Sequence, residues 1–151
     1  MQRNSESGGN DMIEIISGEK GKGKTKELLD RVNASVSSAS GNIVYLDKSQ
    51  KHMYELHNRI RLINVRDYPL DDCDEFLGFI CGIVSQDNDL EEMYLDSFLT
   101  IAAIETDEEL CHAIEKLDII SEKYNVKFIL SVSRNEAELP DCAKAKIVIS
   151  L

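Results

Sequence analysis

No apolar run in this chain of 151 residues approaches the ~20 residues of a membrane span, so a helix that crosses a bilayer is not expected. Basic charge is scarce as well: 17 Lys and Arg stand against 28 Asp and Glu, a formal net charge of -11. A field of that sign repels DNA, RNA and anionic lipid, which argues against non-specific nucleic-acid binding. The four cysteines, Cys73, Cys81, Cys111 and Cys142, have spacings that match no zinc or iron–sulfur pattern. Cys81 and Cys111 fall on or beside apolar helical faces, so thiols buried in a reducing compartment are expected. His52, His57 and His112 have no carboxylate or cysteine at catalytic or ligand spacing and read as surface or packing residues. Internal repeats and low-complexity segments are missing too. Residues 1–10 are polar, contain Gly8-Gly9 and carry no apolar stretch after Arg3, so they read as a frayed cytoplasmic tail and not as a signal peptide. Residues 11–151 suffice for a single domain with its own core.

What is present begins with Gly18-Glu19-Lys20-Gly21-Lys22-Gly23-Lys24-Thr25, which fits the phosphate-binding pattern G-x-x-x-x-G-K-[ST]. Glycines let the backbone curl until successive N–H groups from Lys20 to Thr25 point at phosphate oxygens. Lys24 then reaches the β- and γ-phosphates, and the Thr25 hydroxyl holds Mg²⁺. A helix starting at Lys24 adds its positive N-terminal end to the same anion. The flanks agree with this reading. Met12 to Ser17 is an apolar, β-branched run of the kind a buried parallel strand needs, and Leu28, Leu29, Val32 and Val36 recur at helical spacing. Lys20, Lys22, Lys24 and Lys26 gather positive charge in an acidic chain, which suits a small anion such as a nucleoside triphosphate better than a polymer.

The rest of the chain alternates in type. Asn42 to Asp47 reads as a second buried strand, Gln50 to Asn58 as weakly helical, and Ile60 to Val65 as an edge strand whose Arg61 and Asn64 mark a wetter face. Asp72 and Glu75 signal a helix start, with Phe76, Leu77, Ile80, Ile83 and Val84 as its apolar face. Glu92 to Asp96 reads as a strand, and Thr106 with Glu109 forms a capping box ahead of a long amphipathic helix. Val126 to Val132 and Lys146 to Ser150 are further strands. Such alternation predicts a three-layer α/β/α fold with a mostly parallel sheet, in which ligands bind beyond the carboxyl ends of the strands. Asp96 ends a hydrophobic strand two crossovers after the loop, which makes it the candidate acid for holding Mg²⁺ beside Thr25.

This order of parts resembles the RecA/KaiC-like branch of P-loop ATPases. Tyr94-Leu95-Asp96-Ser97-Phe98-Leu99-Thr100 is similar to the ending of that branch's metal-binding strand, and Lys127 to Arg134 is similar to its sensor strand. The likeness extends to small bacterial ATP-binding proteins sometimes labelled twitching-motility-like. It implies ATP as ligand, Mg²⁺ as cofactor and slow hydrolysis coupled to a conformational or partner-binding change. Asp47 stands where the branch places the carboxylate that activates the attacking water, although the branch uses glutamate there. Ser133, or Ser131, stands where the γ-phosphate would be sensed, and Arg134 is a phosphate contact in its own chain, a finger to a neighbouring subunit, or a plain surface arginine. Sites completed between subunits occur in the branch, so a homo-oligomer is compatible with the resemblance. The shorter aspartate at position 47 keeps a nucleotide-binding switch or scaffold without turnover as the alternative. Gly23 to Leu29 also resembles the loop and helix start of thymidine kinases, which would imply phosphoryl transfer to a nucleoside-type acceptor. The acid-rich metal strand of those enzymes is replaced here by Asp96-Ser97-Phe98, and their paired zinc cysteines are missing.

Overall fold

Short strands separated by helix-length segments have the chain length that parallel pairing through crossovers needs, and all the strand pairings among the described residues are parallel. The computed structural model describes residues 12–151, so the tail expected over residues 1–10 lies outside it. The elements run β1 (Ile13–Ser17), α1 (Lys24–Ser35), β2 (Asn42–Asp47), β3 (Ile60–Asn64), α2 (Cys73–Gln86), β4 (Leu90–Leu95), α3 (Phe98–Ile101), α4 (Asp107–Tyr124), β5 (Lys127–Val132), α5 (Asp141–Lys144) and β6 (Ile147–Ser150). The strand order across the six-stranded sheet is β3-β2-β4-β5-β1-β6. The sheet is flanked by helices on both faces, as the alternation predicts, and β3 is at an edge.

On one face Leu28, Leu29 and Val32 of α1 pack on Ile16, Tyr45, Tyr94 and Ile129. On the other, Phe76 and Ile80 of α2 and Leu110, Ile114 and Leu117 of α4 cover Ile15, Leu46, Met93 and Phe128. Each aliphatic or aromatic side chain fully buried in this way contributes about 1.5–3 kcal/mol, so the two layers fix the register that brings the strand ends together. The helix starts follow their local signals. Asp72 accepts the Glu75 N–H at 2.8 Å, and Thr106 and Glu109 form the reciprocal box at the head of α4. Two local expectations differ. The segment Gln50 to Asn58 forms only a 3₁₀ turn at Met53–Glu55, and a short helix, α3, begins at Phe98, one residue beyond Ser97.

The cysteines depart furthest from expectation. Cys111 of α4 and Cys142 of α5 form a disulfide, and Cys81 is exposed, whereas Cys73 alone is a buried free thiol. Burial, with Asp74, Glu109 and Asp72 nearby, pushes the Cys73 thiol up to about 11. Sequence spacing could not show the bridge, because Cys111 and Cys142 lie 31 residues apart and meet only where α5 docks on α4. A crosslink closing a loop of that length stabilises by roughly 3–4 kcal/mol in the chain-entropy view. Reduction with a dithiol, or Cys111→Ser, is therefore expected to lower the melting temperature by several degrees. Four titratable thiols in the untreated protein would contradict this. No described helix is long and apolar enough to cross a membrane.

Candidate functional site

The carboxyl ends of β1, β2, β4 and β5 converge on a cavity of about 510 Å³. Its loop wall is Lys20, Gly21, Gly23, Lys24 and Thr25, whereas Gly18, Glu19 and Lys22 stand outside that wall. Gly21 and Gly23 adopt left-handed φ values of 87° and 94°, which a side chain would disfavour, and Gly23 is also the residue that opens α1. The first N–H groups of α1 have no carbonyl a turn behind them, so they face the cavity with the positive end of the helix dipole. The loop is braced from behind. The Gly18 N–H donates to the Arg134 carbonyl at 3.0 Å, the Lys22 N–H to the Glu19 carbonyl at 3.2 Å, and the Asn135 amide to the Glu19 carboxylate.

Lys24 is buried, and its Nζ donates to the Glu19 carbonyl at 2.9 Å. Burial lowers its pKa and Asp96 opposes that shift, so the ammonium sits in a site that favours an added negative charge. Asp96 is the polar centre of the cavity floor and is 2% exposed. Its Oδ1 accepts from Ser131 Oγ at 2.6 Å, from the Ser97 N–H at 2.9 Å and from Thr25 Oγ1 at 3.3 Å; its Oδ2 accepts from Tyr45 OH at 2.8 Å. Thr25 and Asp96 are thus brought together across 71 residues. Ser97 adopts a left-handed φ of 54°, which turns the chain sharply after the strand and aims its N–H at both Asp96 and Ser131. Burial and the carboxylates around it, Asp96 foremost, push the Tyr45 phenol well above its usual range, so it remains a hydrogen-bond donor.

Asp47 ends β2 beside β4 and is 3% exposed. Its pKa is raised, first by burial and further by Asp96, although the Lys48 N–H donates to its Oδ1 at 2.7 Å and works against the shift. A carboxyl that ionises at higher pH in the folded chain than in the unfolded chain weakens the fold as pH rises through that window, and the cost persists above it. Asp47→Asn keeps the acceptor for Lys48 and removes the charge. It is expected to melt higher than wild type at neutral pH, with the gain vanishing below the ordinary aspartate range of about 4. A variant that melts lower at neutral pH would contradict this.

The opposite wall holds Lys48, Ser49, Lys51 and His52, none of which the sequence reading assigned to the site. His52 is a correction: it lines the cavity and its Nδ1 lies 2.8 Å from Glu55 Oε2, a carboxylate three residues on. A carboxylate also stands near His112, whose Nε2 lies 3.5 Å from Asp74. Of the two serines expected as sensors, both line the cavity; Ser131 is buried on Asp96 and Ser133 is exposed. Arg134 is turned away, with both terminal nitrogens donating to Asp107 Oδ1 at 2.6 Å. That ion pair with a surface carboxylate is compatible with the plain surface arginine among the expected roles, and Arg134 is not part of the cavity lining. Tyr45 was missed because its place within an apolar strand marked it only as core.

Lys20, Lys24, Lys48 and Lys51 face Asp47 and Asp96 across the cavity, a net positive hollow in a chain of net charge -11. No group of three or more His, Cys, Asp or Glu able to hold a metal occurs among the described residues. One hydroxyl and one carboxylate at 3.3 Å do fit a Mg²⁺ ion that takes its remaining oxygens from phosphate and water. Compared with known protein families and with curated proteins, the chain matches none.

Proposed function

We propose that this chain is a P-loop protein that binds ATP with Mg²⁺ and hydrolyses it slowly, the nucleotide state altering a surface that a partner recognises. The observation that carries the reading is the meeting of Thr25 and Asp96 at the mouth of a loop with the sequence Gly18 to Thr25. In this account Lys24 exchanges the Glu19 carbonyl for the β- and γ-phosphate oxygens. The N–H groups from Lys20 to Thr25 and the head of α1 bind the remaining charge. Thr25 and Asp96 would hold Mg²⁺, which supplies charge neutralisation at the phosphates. Asp47, with its carboxyl pKa raised, would accept the proton of the attacking water, and Ser133 would contact the γ-phosphate from the far side.

The alternative is a nucleotide-binding switch without useful turnover. It is favoured by one feature, the tethering of the short Asp47 side chain to the N–H of the next residue. Asp47→Asn separates the two. Under the hydrolytic reading the variant binds Mg·ATP as wild type does and loses phosphate release by roughly 100-fold, the lower end of what a general base contributes. Release at the wild-type rate would remove Asp47 from the chemistry. Binding by the wild type without any release would leave the switch.

A further inference from the structure

A second cavity, of about 380 Å³, opens on the same carboxyl edge of the sheet. Lys48 and Thr100 belong to the linings of both cavities, so these two side chains form a shared wall. The rest of the second cavity is built around the 3₁₀ turn Val65–Asp67, which carries Arg66. The turn is fixed by Asn64, whose Oδ1 accepts the Arg66 N–H at 3.1 Å and whose amide donates to Asp67 at 3.3 Å. Asp67 is thereby held on Asn64, and among the described residues neither Arg66 nor Lys48 has an ion-pair partner. Asp71 is the only acid among the described residues of the lining.

The lining also carries apolar side chains. Tyr68 is 47% exposed, and its ring is steadied by Phe79 at a centroid distance of 4.8 Å. Val65 and Ile101, also in the lining, are buried. Two cations with no ion pair among the described residues, beside a supported aromatic face, complement a ligand with one charged end and one flat apolar body. We propose that this cavity binds a small organic anion, a phosphate monoester or a carboxylate, with its charged group between Arg66 and Lys48 and its apolar body against Tyr68 and Ile101. This inference does not depend on the nucleotide reading, because no atom of the Gly18 to Thr25 loop lines the second cavity.

Phenyl phosphate and phenylacetate are suitable probes, titrated into the ¹⁵N-labelled protein and followed by amide shifts. At least one is expected to give saturable shifts at Arg66, Tyr68 and Thr100, and the better binder identifies the headgroup. Arg66→Met, at an exposed position, is expected to weaken binding by roughly tenfold or more, whereas Lys24→Ala leaves it unchanged. The absence of saturable shifts with either probe at millimolar concentration would overturn the proposal. So would equal binding by Arg66→Met and wild type, equal weakening in both variants, or loss in Lys24→Ala alone, which would put the anion in the phosphate loop. A failure of the nucleotide reading registers separately, as an absence of ATP binding by the wild type.

Discussion

Lys24→Ala is expected to weaken Mg·ATP binding by roughly 100-fold while leaving the free protein at least as stable as wild type. The two halves of this expectation have separate causes. Lys24 is the buried cation of the cavity, and two charge-assisted hydrogen bonds to phosphate oxygens are worth about 3 kcal/mol or more together. In the free protein its ammonium is desolvated and bonded to the Glu19 carbonyl, and burial lowers its pKa. Removing it therefore relieves a buried charge as it loses one hydrogen bond. Calorimetric titration reads the first effect and a thermal melt without nucleotide reads the second. Undiminished affinity in the variant would detach the lysine from the ligand, and a much lower melting temperature would make it a structural residue.

Asp96→Ala is expected to cost about 2–5 kcal/mol of stability and to remove the Mg²⁺ dependence of nucleotide binding. Four donors converge on this carboxylate, and two of them, Tyr45 OH and Ser131 Oγ, come from side chains that are themselves buried. Leaving each such donor without an acceptor costs about 1–3 kcal/mol, a large share of the 5–15 kcal/mol that typically separates folded from unfolded chains. Asp96→Asn distinguishes fold from metal. It keeps an oxygen for part of the network and the same shape, so most of the stability returns, but the charge that would draw Mg²⁺ does not. Urea unfolding of both variants, with nucleotide titrations at high and zero Mg²⁺, checks the pair. Equal stability of Asp96→Ala and wild type would mean that the hydroxyls find other partners.

The strands and helix heads were readable because their causes are local. The β-branched runs of β1, β2 and β5, the apolar end of β4, the Asp72 cap and the Thr106–Glu109 box each act within a few residues. The edge position of β3 followed from its polar alternation at Arg61 and Asn64. What stayed hidden is what only packing produces. Tyr45 reads as another apolar strand residue until β2 and β4 lie side by side and its hydroxyl reaches Asp96. Ser131 and Ser133 look alike in sequence, two residues apart on one strand end, and only the fold buries one on Asp96 and exposes the other. Lys48, Lys51 and His52 have no motif, because a wall contributed by the β2 to β3 connection needs only side chains of suitable reach. The Cys111–Cys142 bridge depends on the docking of α5 on α4, which no spacing rule encodes.

The central claim is that the loop from Gly18 to Thr25, with Asp96, holds a magnesium nucleotide. The most direct test is a calorimetric titration of ATP into the wild-type protein with Mg²⁺ and again with excess chelator. The account predicts a saturable one-site isotherm with Mg²⁺ and affinity lower by roughly tenfold or more without it. Heats that never saturate at millimolar ATP, or one affinity under both conditions, would contradict it.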